Sequence, residues 1–171
     1  MHDEKNKEEL FKFLSVKIMS FKYPDNKEVF VTDGPFVLTN STTQAMPQCD
    51  HEEADTRLVV HIADALKKGL STCLVCTVDT DVIVILIGKF PYLTAVNSDA
   101  NIWVAFGVGK NFVFWYINTI CSNLGEAKSI TLPFFHSFTG CDITSGFLEE
   151  AKRWLRKLGR VFQKLQQYFP R

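Results

Sequence analysis

Two apolar periods alternate along this chain and divide it into candidate helices and strands. Leu10, Phe11, Leu14, Ile18 and Met19 recur at helical spacing, and Pro24-Asp25-Asn26 closes that element, while the polar Met1–Glu9 ahead of it reads as frayed. Glu28–Thr32 reads as a short strand closed by Asp33-Gly34-Pro35, and Thr39–Gln48 as a loop rich in Ser, Thr, Asn and Gln. Asp50 is placed to cap a helix from about His51 to Lys68, with Leu58, Ile62, Ala65 and Leu66 as its apolar face and Gly69 as its stop. The run Thr72–Val78 is almost continuously apolar, as in a strand covered on both faces, so helix followed by buried strand predicts a crossover unit.

Further on, the elements shorten. Val82–Ile87 fits a strand or a short buried helix, because so brief an apolar run has no readable period. Ile102–Phe106 and Phe112–Ile117 flank Gly107-Val108-Gly109-Lys110, which predicts a hairpin or two consecutive strands. A helix over Asn118–Leu124 should stop at Gly125, and another, with Pro133 near its first turn, should reach Thr139 and break at Gly140. The last segment, Leu148 to Phe169, predicts an amphipathic helix with Leu155, Leu158, Phe162, Leu165 and Phe169 on one side. The expected architecture is therefore α/β, three-layered, with a mostly parallel sheet flanked by helices, followed by that C-terminal helix.

Length and charge narrow the functional classes. At 171 residues the chain suits a single domain spanning 1–171 with one core, and its 46% hydrophobic and 22% charged residues argue against disorder. The formal net charge is zero, so any contact with nucleic acid needs a local basic patch rather than a long-range field. One such patch is the helix over 148–171, where Lys152, Arg153 and Arg156 follow Glu150 with no later acidic residue. Five cysteines, an odd number, with a charged rather than apolar start, predict a reducing intracellular compartment, nucleus or cytoplasm. No apolar run is long enough for a membrane helix, because Gly88 and Lys89 interrupt the one over 82–87.

The candidate chemistry lies in three acidic clusters, His51-Glu52-Glu53-Ala54-Asp55, Val78-Asp79-Thr80-Asp81 and Gly140-Cys141-Asp142-Ile143-Thr144. Asp79 and Asp81 directly follow an apolar strand, and in open α/β sheets the carboxyl ends of strands are where ligands bind. Hard cations such as Mg²⁺ and Mn²⁺ take carboxylate, water and phosphate oxygens, and a cation relieves the repulsion of clustered carboxylates. Each cluster also has a plain structural use, since acids favour a helix's first turn and Asp is a routine cap.

In their order, Glu53-Ala54-Asp55, Asp79-Thr80-Asp81 and Thr139-Gly140-Cys141-Asp142 resemble the acidic motifs of the PIN-like nuclease superfamily, of the flap-endonuclease and XPG type. That family carries a Glu-Ala-Glu-Ala stretch, an Asp-x-Asp after a strand and a Gly-Cys-Asp-Tyr loop. The resemblance implies that Glu53, Asp55, Asp79, Asp81 and Asp142 are catalytic and hold one or two Mg²⁺ or Mn²⁺ ions for phosphodiester hydrolysis, with DNA favoured over RNA. It also implies a further N-terminal strand, so the chain is expected to be truncated there, with Asp33 as a distant match. The strings HEEADTR, TVDTDVIVI and FHSFTGCDITSGF additionally resemble reading frames of mobile-element origin in animal genomes, a likeness that names no activity.

Arg57 and Lys110 join Lys152, Arg153 and Arg156 as expected phosphate contacts. Two rival readings are a catalytically inactive nuclease-fold module that binds DNA or protein, and a recombinase-like enzyme with an RNase-H-type site, which would begin with an antiparallel meander. Cys73 and Cys76, three apart on a strand, should project to opposite faces and be buried. His51, His61 and His136 are open to a metal site, but His51 and His61 do not share one line along their helix, and His136 is expected to be a packed helix residue.

Overall fold

The structure, a computed structural model, describes residues 4–42 and 54–139. Among these the fold is mixed α/β, with five α-helices and two sheets. Two compact units are distinguished, Met1–Leu70 and Ser71–Arg171, each described by itself. No helix among the described residues is long and apolar enough to cross a membrane.

In the first unit, α1 (Glu4–Ser20) packs on a hairpin of β1 (Phe30–Asp33) and β2 (Phe36–Thr39). The helix begins earlier than its apolar period suggests, because Glu and Lys are strong helix formers and Glu8 and Lys12 stand four residues apart. Its apolar residues do not form one buried stripe: Leu10, Phe11, Phe13, Leu14, Val16 and Ile18 are all exposed, and Ser15 is the buried position, its hydroxyl donating to the Phe11 carbonyl. The β1–β2 register pairs Asp33 with Phe36, leaving Gly34-Pro35 as a two-residue turn. Gly34 has φ +58°, the backbone conformation that the first central residue of a type II′ turn requires.

The α2 helix (Ala54–Lys67) follows, and Gly69 ends it as its sequence predicts. Val59, Ile62, Ala63 and Leu66 form its buried stripe, the i, i+3, i+4, i+7 set, displaced by one residue from the expected face at Leu58 and Ala65. His61 and Thr32 on β1 share a hydrogen bond of 2.8 Å, and Lys68 pairs with Asp64 at 2.8 Å while its ammonium lies over the Phe30 ring. These contacts tie the helix to the hairpin.

The second unit is built on a three-stranded sheet, β3 (Thr72–Thr77), β4 (Asn101–Phe106) and β5 (Val113–Tyr116), in that spatial order. β3 and β4 are parallel and joined through α3 (Thr80–Val96), so the crossover observed follows β3, whereas the sequence suggested one from the helix ahead of it. β4 and β5 form an antiparallel hairpin, one of the two expected alternatives, since the six residues between them are too few for a parallel crossover. The described sheet is therefore mixed, one parallel ladder and one antiparallel. β3 buries only Val75, and Leu74 is 57% exposed, so its apolar run is not covered on both sides. Cys76 is exposed too, whereas Cys73 is half-buried with its thiol pKa pushed up by desolvation.

The apolar run at 82–87, ambiguous by period, lies inside α3. Asp79 decides it: the residue is extended at φ −98°, ψ 127°, and its side chain accepts from the Asp81 amide, which starts a helix rather than prolonging a strand. Leu86, Ile87 and Leu93 of α3, Ile102 and Val104 of β4, and Ile117 of α4 (Ile117–Leu124) are fully buried and form the core of this unit. Asn118 brackets α4 to β4, its side chain accepting from the Ile102 amide at 3.0 Å and donating to the Ala100 carbonyl at 2.7 Å.

Gly125, with φ +79°, caps α4 and turns the chain directly into α5 (Glu126–Thr139). Pro133 is thus an interior residue of α5 and not part of a first turn. Its ring costs a backbone bond there, and the site it fills explains the tolerance: a Cβ on Gly88 of α3 would overlap Pro133 Cγ and stand 2.8 Å from Cδ. The missing side chain at Gly88 lets the two helices approach, and the α3–α5 pair is the most extensive helix packing in the unit. Cys121 is sealed under this packing, donating to the Ile87 carbonyl, and burial pushes its pKa up to about 11.

Two measurements check this account. An alanine in an ordinary helix interior stabilises by about 0.5–1 kcal/mol over glycine. Gly88→Ala is expected to do the reverse, destabilising by roughly 1–3 kcal/mol through overpacking against Pro133, as read by urea denaturation. For His61, burial lowers the pKa below its ordinary value, opposed by Asp64 and assisted by Arg57. The unfolded chain then binds more protons just below about pH 6.5, so the stability that His61 contributes is full above that pH and is lost as pH falls through the lowered pKa. Wild-type protein should therefore lose stability more steeply than His61→Gln between about pH 7 and pH 5, and parallel curves would contradict the assignment.

Candidate metal centre

The carboxyl ends of β3 and β4 lie side by side because the strands run parallel, with Thr77 paired to Phe106. Beyond β3 the chain continues into Asp79 and the first turn of α3. Beyond β4 it enters Gly107, whose amide donates to the Thr77 carbonyl at 3.1 Å, and then a single 3₁₀ turn, Gly109–Asn111, carrying an exposed Lys110. The segment 107–110 is therefore a turn, as its incomplete phosphate-loop spacing predicts.

Asp79 and Asp81 sit at this edge. The Thr77 hydroxyl accepts from the Asp79 amide at 3.0 Å, and Asp79 Oδ1 accepts from the Asp81 amide at 2.9 Å. Both carboxylates stand at the N-terminus of α3, where its dipole favours their charge. Asp79 is exposed and Asp81 half-buried. Asp81 has a partner from far along the sequence: His136 Nε2 lies 2.7 Å from Asp81 Oδ1. A carboxylate only accepts, so the proton of this bond sits on Nε2. In each carboxylate one oxygen is engaged, while Oδ2 makes no hydrogen bond among the described residues.

His136, a half-buried helix residue as expected, also reaches the candidate site through its bond to Asp81. It stands one turn beyond Pro133 on α5, so the contact that seats Pro133 against Gly88 also delivers the imidazole to the start of α3. No periodicity links residues 81 and 136. The available clue was its closeness in sequence to Thr139-Gly140-Cys141-Asp142.

The remaining expected residues fall differently. Arg57 is on α2 in the first unit, where its guanidinium donates to the Gly34 carbonyl at the hairpin turn. The backbone of Asp55 lies in the first turn of α2. Glu53, Asp142, Lys152, Arg153, Arg156, the cap at Asp50, His51 and the helix over 148–171 lie outside the described residues, as do the side chain of Asp55 and the break at Gly140. Among the described residues no group of three or more His, Cys, Asp or Glu side chains could hold a metal ion. What is present is a pair of carboxylates, each with one uncommitted oxygen. That donor set suits Mg²⁺, which is commonly bound through one or two carboxylates with water and substrate oxygens completing its shell.

The chain matches no protein-family model, no curated protein sequence and no solved structure.

The capping role of Asp79 separates from its charge. Asp79→Ala should destabilise the protein by about 1 kcal/mol, whereas Asp79→Asn, still an acceptor, should stay close to wild type. Equal losses in thermal unfolding of the two variants would show that the cap is not what this carboxylate provides.

Proposed function

We propose that this chain is a divalent-metal-dependent nuclease-like domain of the PIN-like kind, acting on phosphodiesters of DNA in preference to RNA. The observation that carries the reading is the Asp79–Asp81 pair at the carboxyl end of a parallel strand, the edge at which crossover α/β sheets present ligand-binding groups. The β3–α3–β4 crossover supports a PIN-like layering, and the acidic motifs around Glu53, Asp55 and Asp142 support the same family.

Within this reading Asp79 and Asp81 would hold Mg²⁺ or Mn²⁺ through their uncommitted oxygens, and the resemblance adds Glu53, Asp55 and Asp142 as its other expected carboxylates. A bound ion would supply polarisation of the phosphodiester and acidification of a water. The chain's own residues do the rest. Thr77 and the α3 amides fix the Asp79 carboxylate, His136 holds Asp81, and Lys110, exposed beside the same edge, is available to a backbone phosphate. Asp142 is six residues beyond His136, a stretch that spans at most about 20 Å fully extended, so His136 limits how far Asp142 can lie from Asp81. Lys152, Arg153 and Arg156 would add a basic surface to a domain with no net charge of its own.

One observation favours a second reading, a nuclease-fold module without catalysis: both carboxylates already serve the fold, Asp79 as the cap of α3 and Asp81 as the partner of His136. An RNase-H-type enzyme draws less support, since the strands before β3 form a two-stranded hairpin among the described residues.

Labelled single-stranded and flap DNA incubated with the full chain and Mn²⁺ should be cleaved, and Asp79→Asn combined with Asp81→Asn should reduce cleavage to the level of a protein-free control. Equal cleavage by both proteins would remove the catalytic claim. No cleavage by either would leave the module reading.

A further inference from the structure

The proposed metal centre contains a residue that no acidic motif includes. We infer that His136 is its positioning residue: by holding Oδ1 of Asp81 it fixes the carboxylate's rotation and leaves Oδ2 as the oxygen offered to a divalent cation. The inference rests on the nuclease-like reading and deepens it.

Three observations combine. The 2.7 Å bond joins residues 55 apart in sequence, so it is made by the tertiary packing of α5 on α3 and not by local chain geometry. That packing is closest where Pro133 fills the space above Gly88, and His136 follows one turn later on the same helix. Asp79 is fixed in the same manner by a different donor, the Asp81 amide, so both carboxylates have one oxygen tied and one uncommitted. Two carboxylates held in this way lose little rotational freedom when a cation arrives, and outer partners of metal-bound carboxylates act in this sense. This histidine reaches across from its own helix to an acid of the candidate centre.

The chemistry specifies the conservative replacement. A glutamine in place of His136 would carry an N–H donor at a reach similar to Nε2, whereas a phenylalanine there keeps the ring and the packing but donates nothing.

The test is a calorimetric titration of Mn²⁺ into the full chain in four forms: wild type, Asp81→Asn, His136→Gln and His136→Phe. His136→Phe should bind about 10-fold more weakly than wild type and His136→Gln within about twofold of it, the range typical for outer-shell partners. If Asp81→Asn weakens binding and His136→Phe does not, the positioning role is overturned while the metal centre stands. If Asp81→Asn binds as wild type does, or wild type binds nothing, both readings are overturned. Circular dichroism without metal establishes that each variant is folded. Should His136→Phe fail that check, the tautomer in the unaltered chain decides: nitrogen-15 NMR should find the proton on Nε2, with a ring signal that moves on adding Mg²⁺. A proton on Nδ1, or a signal indifferent to Mg²⁺, would overturn the inference.

Discussion

The seating of Pro133 against Gly88 is the constraint on which the second unit depends. A helix normally avoids an interior proline, which removes one backbone bond and crowds the preceding turn. It also normally gains from replacing an interior glycine with any residue other than proline. Both penalties are accepted at one contact, where the Pro133 ring of α5 seats against Gly88 of α3. The His136–Asp81 contact of the candidate site follows from this approach. The approach sets the level at which α5 passes the N-terminal end of α3, brings His136 to Asp81, and closes the fully buried layer of Leu86, Ile87, Ile117 and Ser129.

Asp79 shows how one residue serves fold and chemistry together. Its extended backbone ends the strand side of the crossover, and its side chain begins the helix side by accepting the Asp81 amide. The same carboxylate stands at the edge where two parallel strands end. Capping engages one oxygen and leaves the other, so a structural use of this acid does not compete with a cation. The helix dipole favours negative charge at this end of α3. His136 supplies the corresponding restraint for Asp81.

Much of the order of elements was legible in the sequence, and the reasons for the failures are physical. The helix over 54–67, the strand over 72–77, the hairpin after residue 101 and the stop at Gly125 follow from period and turn chemistry, which are local. Val82–Ile87 was ambiguous because a helix buried on several sides carries no period. The cap at Asp79 resolved it. Pro133 was misplaced to a first turn because its tolerance in a helix interior comes from Gly88, 45 residues away. α1 was legible as a helix but its buried side was not, since apolar residues lie on several of its faces. Of the candidate site, the Asp79–Asp81 pair was legible as a motif after a strand. His136 was readable only as one of three histidines open to a metal site, because its bond to Asp81 is created by tertiary packing and leaves no spacing to read.

The central claim is that Asp79 and Asp81 form a cation-binding pair at the end of β3. Amide NMR of the full chain with trace Mn²⁺ tests it most directly, because paramagnetic broadening falls steeply with distance from the ion. The account predicts that the signals of Asp79, Thr80, Asp81 and His136 broaden first, and that Asp79→Asn with Asp81→Asn abolishes this selectivity. Broadening centred elsewhere in the chain, or spread evenly over its exposed acids, would contradict it.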